Sequence, residues 1–152
     1  TTTVGTVLRV ATAYGLSPRA RFDLTVSQFT RDLAAGEELV VYDADTWRPY
    51  CHVQDLSSAV LTVLDAPPGL VRGEVFNVGT GTESTVVELA ATIGEIAGLA
   101  PEAFAPEFLP ARAGELRRSC LDPSRGIAAL GLPAPTPLAE GLAHTWAWHT
   151  GR

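Results

Sequence analysis

The stretch Trp47-Arg48-Pro49-Tyr50-Cys51-His52-Val53-Gln54-Asp55 decides how this chain folds, because it reads as a strand that leaves directly into an amphipathic helix. Apolar residues recur at Leu56, Ala59, Val60, Val63 and Leu64, a three-four spacing that predicts one buried helix face. Asp55 stands where an N-cap is expected, its carboxylate able to accept from the first free amides of that helix. The same stretch sets Arg48 where a ligand could sit. A strand followed by a capped helix is too common a connection to imply a function, so the meaning of Arg48 depends on its surroundings.

At 152 residues, 46% hydrophobic and 18% charged, the chain has the size and composition of one globular domain with its own core. No apolar run approaches the roughly 20 residues that span a bilayer. Thr1-Thr2-Thr3-Val4-Gly5 lacks the basic start and long apolar core of a signal peptide. A cytoplasmic protein with no membrane partner is therefore expected. Cys51 and Cys120 show no metal-ligand spacing, which predicts free buried thiols and no metal site. A net charge of −6 argues against a nucleic-acid partner, since neutralising phosphates along a duplex needs a basic face. An anionic ligand has to be met locally. All eleven basic residues are arginine, whose planar fork grips phosphate or carboxylate, and every mechanism that needs a lysine from this chain is excluded.

From the start of the chain, residues 6–12 read as one mostly apolar strand, followed by a loop through Leu16-Ser17-Pro18-Arg19-Ala20-Arg21. Residues 23–35 read as a helix capped by Asp23, with Val26, Phe29 and Leu33 on one face and Gly36 ending it. Residues 38–42 are a strand, and Asp43-Ala44-Asp45 turns into the central stretch. Beyond the central helix, 74–78 is a strand and 100–110 an irregular loop pinned by Phe104 and Phe108. That loop delivers Arg112, Arg117 and Arg118 together. Two helices follow: one capped by Asp122 with Pro123 at its first position and Ile127 and Leu130 buried, then one carrying Leu138, Leu142, Trp146 and His149 at helical spacing.

Gly79-Thr80-Gly81-Thr82-Glu83-Ser84, placed between a strand and a helix, nearly spells the glycine-rich turn that lets a pyrophosphate approach a helix N-terminus. Ser84 replaces the third glycine, and no strand ending in an acidic residue follows at the required distance. Thr85-Val86-Val87-Glu88 is better read as a capping box for a helix over 86–97, with Leu89, Ala90 and Ile93 inward.

No serine, cysteine or histidine falls into a recognisable nucleophile motif, and no carboxylate pair or metal cluster stands out. Binding chemistry remains. Arg48 and Arg112, each beside a glycine or proline turn, have the donor geometry to fork onto a diphosphate; on spacing alone, two arginines in surface salt bridges are the better reading.

Five segments in order carry a resemblance: Leu8-Arg9-Val10-Ala11-Thr12-Ala13-Tyr14-Gly15, then 47–56, then Phe76-Asn77-Val78-Gly79, then Arg112-Ala113-Gly114-Glu115, then Asp122-Pro123-Ser124. Together they resemble the C-terminal half of extended short-chain dehydrogenases, in particular NAD-dependent nucleotide-sugar epimerases and dehydratases. The resemblance implies an α/β chain made of the last strands of a Rossmann-type sheet (1–15 and 74–79) plus a small α/β substrate-binding lobe (16–55 and 99–152). It implies that NAD and the catalytic Tyr-x-x-x-Lys pair belong to an N-terminal Rossmann half, so that this chain alone has no catalytic residue and is inactive. Carried over residue by residue, Arg48 and Arg112 hold the diphosphate of a nucleoside-diphosphate sugar, Tyr50 lies beside the nucleotide and Glu115 accepts from the ribose. Asp23 and Leu24 contact the diphosphate and sugar, and Thr12 stands where many members place an asparagine near the sugar. Members are commonly homodimers through helices of the other half. A non-catalytic nucleotide-sugar-binding or partner protein without a Rossmann half is the alternative.

Overall fold

The computed structural model describes residues 3, 5–111 and 113–151. The opening strand divides at Ala11 into β1 (Val7–Val10) and β2 (Thr12–Tyr14). Helix α1 (Thr25–Ala34) and strand β3 (Val40–Tyr42) follow, then β4 (Trp47–His52), which runs without a break into α2 (Val53–Asp65). A short α3 (Pro68–Val71) leads to β5 (Val75–Val78), β6 (Glu83–Thr85) and α4 (Val86–Ile96). The last third holds β7 (Glu107–Leu109), α5 (Ser124–Leu130) and α6 (Leu138–Thr150). The expected α/β class is what forms, with mostly parallel pairing.

The division at Ala11 corrects the single strand read over 6–12. Val7 to Val10 pair in parallel with Val75 to Val78, whereas Thr12 to Tyr14 pair in parallel with Tyr50 to His52. At the crossover the Ala11 amide donates to Val78 at 3.0 Å, so no backbone donor is stranded while the chain changes partner. The other edge of β4 takes β6 antiparallel, with Arg48 opposite Ser84. Glu83 and Ser84, expected in the glycine-rich turn, are therefore strand residues.

A second correction concerns residues 100–110. Beyond a short 3₁₀ turn at Pro101–Ala103, β7 pairs in parallel with β3, Val41 opposite Phe108. Pro106 and Pro110 flank that three-residue strand without interrupting it, which is where a sheet tolerates proline. Phe104 does pin the segment: a Cβ on Gly94 would come within 2.7 Å of its ring. Phe108 faces outward.

Two apolar clusters sit on either side of β4. Tyr14, Val26, Phe29, Val41, Tyr50, Leu89, Ile93 and Leu142 bind α1, α4 and α6 to one face; Ala11, Cys51, Ala59 and Val78 fill the other beneath α2. The expected buried face of α2 is only half realised, since Ala59 is enclosed while Val60, Leu61 and Leu64 are exposed. Caps also differ. His52, not Asp55, precedes α2, and the Asp55 carboxylate instead accepts from the Thr136 amide and hydroxyl at 2.9 and 2.8 Å, fixing the entry to α6. Leu24 precedes α1, and the Asp23 carboxylate is taken by Arg21. Pro123 precedes α5, with Asp122 accepting from the Ser124 amide at 2.9 Å; Ile127 and Cys120 are exposed, not buried. The capping box of α4 is present in both directions, Glu88 amide to Thr85 hydroxyl at 3.1 Å and Thr85 amide to Glu88 carboxylate at 2.8 Å.

Leu89 is 0% exposed and Leu64 74%. Leu89→Ala is therefore expected to cost about 2–5 kcal/mol of unfolding free energy and Leu64→Ala no more than about 0.5 kcal/mol, read by urea denaturation. Equal losses would mean that the core does not lie where the clusters place it.

Candidate functional site

Along β4 successive side chains alternate between the two clusters, so Tyr50 and His52 point to the Tyr14 side and Cys51 to the Ala59 side. Arg48 shares the parity of Tyr50 but lies at the open end of the strand. Three of its five N–H donors are taken there by described residues. One terminal nitrogen donates to the carbonyls of Trp47 at 3.0 Å and Leu116 at 2.6 Å, and the other to the Glu115 carboxylate at 2.9 Å. Two residues that the resemblance assigns to one ligand, 67 positions apart, are thus brought into contact.

The pair borders two spaces. A cavity of about 170 Å³ is lined by Asp23, Gln28, Phe29, Val40, Tyr42 and Thr46 on its far side, and by Arg48 and Glu115 on its near side. A shallower groove of about 440 Å³ runs past Thr12, Gly114, Leu116 and Ser119, again bounded by Arg48 and Glu115. Of the sequence-derived site residues, Arg48, Glu115, Asp23 and Thr12 therefore gather around these spaces. Leu24 and Tyr50 line neither. The Tyr50 hydroxyl is enclosed without a hydrogen-bond partner, and burial pushes it up to about 12 against the pull of Arg48. Arg112 lies outside the described residues. Asp23 is held at about 2 by its hydrogen bonds from Arg21, so it meets the cavity as a carboxylate.

Residues to which the sequence gave no role at the site complete it. Arg118 donates to Glu83 through Nε at 2.8 Å and lies over the Trp47 ring, 5.9 Å from its centre. Backbone bonds from Trp47 to Arg117 at 3.0 Å and from Ser119 to Trp47 at 3.1 Å tie this segment to β4. It is this attachment that carries Glu115 to Arg48. Gln28, Tyr42 and Thr46 reach the cavity from α1, β3 and the turn before β4, and no spacing in the sequence announces such a convergence.

The turn at Gly79 to Ser84 leads into a helix start whose donors are spent within the chain. The first amides of α4 are all engaged: Val86 donates to Thr46 at 3.0 Å, Val87 to Ala44 at 3.1 Å and Glu88 to the Thr85 hydroxyl. No free donors remain there to hold a pyrophosphate. Among the described residues no cluster of three or more His, Cys, Asp or Glu could hold a metal ion, and no helix is long and apolar enough to cross a membrane.

Against this geometry the comparisons with known proteins fall on one class, the Rossmann-type fold of extended short-chain dehydrogenases. A UDP-glucose 4-epimerase of Mycolicibacterium smegmatis is 39% identical over 121 residues, 79% of this chain and 37% of the relative. A dTDP-glucose 4,6-dehydratase of an Actinoplanes species is 33% identical over 94% of this chain and 43% of its own length. The crystal structure of UDP-glucose 4-epimerase from Thermotoga maritima, with UDP-glucose, superposes with a TM-score of 0.81 at 33% identity, covering 93% of this chain and 44% of that one. The profile described as the NAD dependent epimerase/dehydratase family matches residues 2–79. The chain belongs to that family, and spans about two fifths of the length of the relatives it matches.

His52 carries a pH dependence. It is 2% exposed, neither ring nitrogen has a partner, and Tyr14 and His144 stand edge-on at 5.4 and 6.2 Å. Burial holds the imidazole below the usual histidine range; Asp55 and Glu140 oppose this and His144 adds to it. The fold therefore favours neutral His52, a contribution present above about pH 6.5, the unfolded value, and lost as the pH falls through it. The denaturation midpoint is expected to drop between pH 7 and pH 5, and to drop less in His52→Phe. An unaltered slope in His52→Phe would place the acid sensitivity elsewhere.

Proposed function

We propose that this chain is the substrate-binding part of an NAD-dependent nucleotide-sugar epimerase or dehydratase, clamping a nucleoside-diphosphate sugar while an N-terminal half supplies NAD and the catalytic tyrosine and lysine. The observation that carries this reading is the meeting of Arg48 and Glu115 on the wall between a cavity and a groove that Thr12 and Asp23 also border. In this arrangement Arg48 and Arg112 hold the diphosphate, Glu115 accepts from a ribose hydroxyl, Asp23 and Leu24 belong to the loop at the diphosphate and sugar, and Thr12 lies near the sugar. Tyr50 acts from beneath, as the packed floor that fixes the direction of β4. Binding energy at the remote diphosphate orients the sugar for chemistry performed elsewhere.

NAD supplies hydride acceptance and return in such a reaction. The engaged amides of α4 and the absence of any lysine support its being held by other residues. On this reading 1–15 and 74–79 complete a Rossmann sheet, and 16–55 with 99–152 form the substrate lobe. The exposed Val7 and Val10 on β1, with Val60, Leu61 and Leu64 on α2, are an apolar surface suited to cover by the rest of that sheet.

Arg48→Ala in the full chain is expected to remove charge-assisted hydrogen bonds of about 1.5–3 kcal/mol each, roughly ten- to a hundredfold in nucleoside-diphosphate affinity per bond. Arg48→Lys keeps the charge, loses the fork and recovers only part. Calorimetric binding that is unchanged in a folded Arg48→Ala would return the residue to a structural ion pair. A titration of the 152-residue chain with NAD is expected to give no saturable isotherm, and micromolar binding would mean that residues 79–84 were misjudged.

A further inference from the structure

The Arg48–Glu115 pair does more than join two ligand-contacting residues. We propose that Glu115 is a positioning residue that holds the Arg48 guanidinium in the unliganded protein, and that an incoming diphosphate displaces it and so joins the cavity to the groove. This rests on the clamp reading above and adds how the clamp is kept and opened.

Three features support the exchange. First, each terminal nitrogen of Arg48 is already bonded by the chain itself, at 2.6, 2.9 and 3.0 Å, so a diphosphate that takes both of them in a fork competes with a contact already made. Second, the contacts are unequal in their attachment. The Trp47 carbonyl belongs to the same strand as Arg48 and cannot leave, whereas Glu115 projects from the segment 113–116 with its side chain 41% exposed, against 21% for Arg48. The carboxylate is the partner free to move. Third, among the described residues Arg48 and Glu115 are the two that border both spaces, so the ion pair stands between them. A phosphate oxygen offers the guanidinium the same charge and geometry as the carboxylate it replaces. Glu115, once released, keeps its acceptors for a ribose hydroxyl on the cavity side. A half-exposed ion pair is weak enough for such an exchange to cost little.

The test uses inorganic pyrophosphate, which addresses only the diphosphate-holding arginines, and uridine diphosphate, which also presents a ribose. In the full chain Glu115→Gln is expected to bind pyrophosphate about two- to fivefold more tightly than wild type, because the competing anion is gone. Glu115→Ala should show the same gain for pyrophosphate but a smaller gain, or a loss, for uridine diphosphate, since the ribose acceptor is removed with the competitor. A purely structural brace would weaken both ligands together. Asp45→Asn, which deletes an exposed negative charge that lines neither space, is expected to leave pyrophosphate affinity where it is. Pyrophosphate binding no tighter in a folded Glu115→Gln, or equally tightened by Asp45→Asn, overturns the exchange. Pyrophosphate binding that is absent in wild type, or unchanged by Arg48→Ala, overturns the clamp itself, a separate outcome.

Discussion

Strand β4 is hydrogen-bonded along both edges and packed on both faces, and the rest of the molecule depends on that double confinement. Parallel pairing of Tyr50 to His52 with β2 on one edge and antiparallel pairing of Trp47 to Pro49 with β6 on the other ties each half of the strand to a different neighbour. Cys51 closes one apolar cluster and Tyr50 the other, so the strand has no freedom to slip or roll. A one-residue slip would exchange the two faces and bring Arg48 into the core. The direction of the guanidinium is thus fixed by packing several residues away from it.

The polar contacts around β4 serve the same end. Arg118 lies over Trp47 and pairs with Glu83 on β6, so one side chain staples the 117–119 segment to two strands at once. Asp55 draws the start of α6 against α2 through Thr136. Each is a charge or dipole satisfied between segments far apart in sequence. Their net energy at the surface is small, but they set the positions of loops that have few apolar anchors of their own.

The ion pair of Arg48 with Glu115 orders an otherwise flexible side chain: the guanidinium is partly desolvated and held in one direction by the strand beneath it and by the carboxylate. The strand that orders it is also the strand that leads into α2, on which Leu61 and Leu64 are exposed. Family membership and the α/β fold rest on similarity across most of the chain; the roles of single residues rest on this local arrangement.

What the sequence alone determined was local and periodic. The helix over 86–96 with its capping box, its inward Leu89, Ala90 and Ile93, and the strand-to-helix passage at 47–53 follow from spacing and from side chains that reach only three or four residues. The order of five motifs also gave the family, and it is the family that directs attention to Arg48 and Glu115. Only the tertiary structure decided the partners. That residues 6–14 divide between β5 and β4, that 107–109 becomes a strand beside β3, and that Asp55 serves Thr136 and not its own helix all turn on pairing across long separations. Extended backbone of modest β-propensity becomes a strand when a neighbour offers it donors and acceptors, and a carboxylate caps a helix only if nothing better approaches. The contact of Arg48 with Glu115 is of the same kind, because a single charge in a sequence carries no record of which opposite charge the fold will set against it.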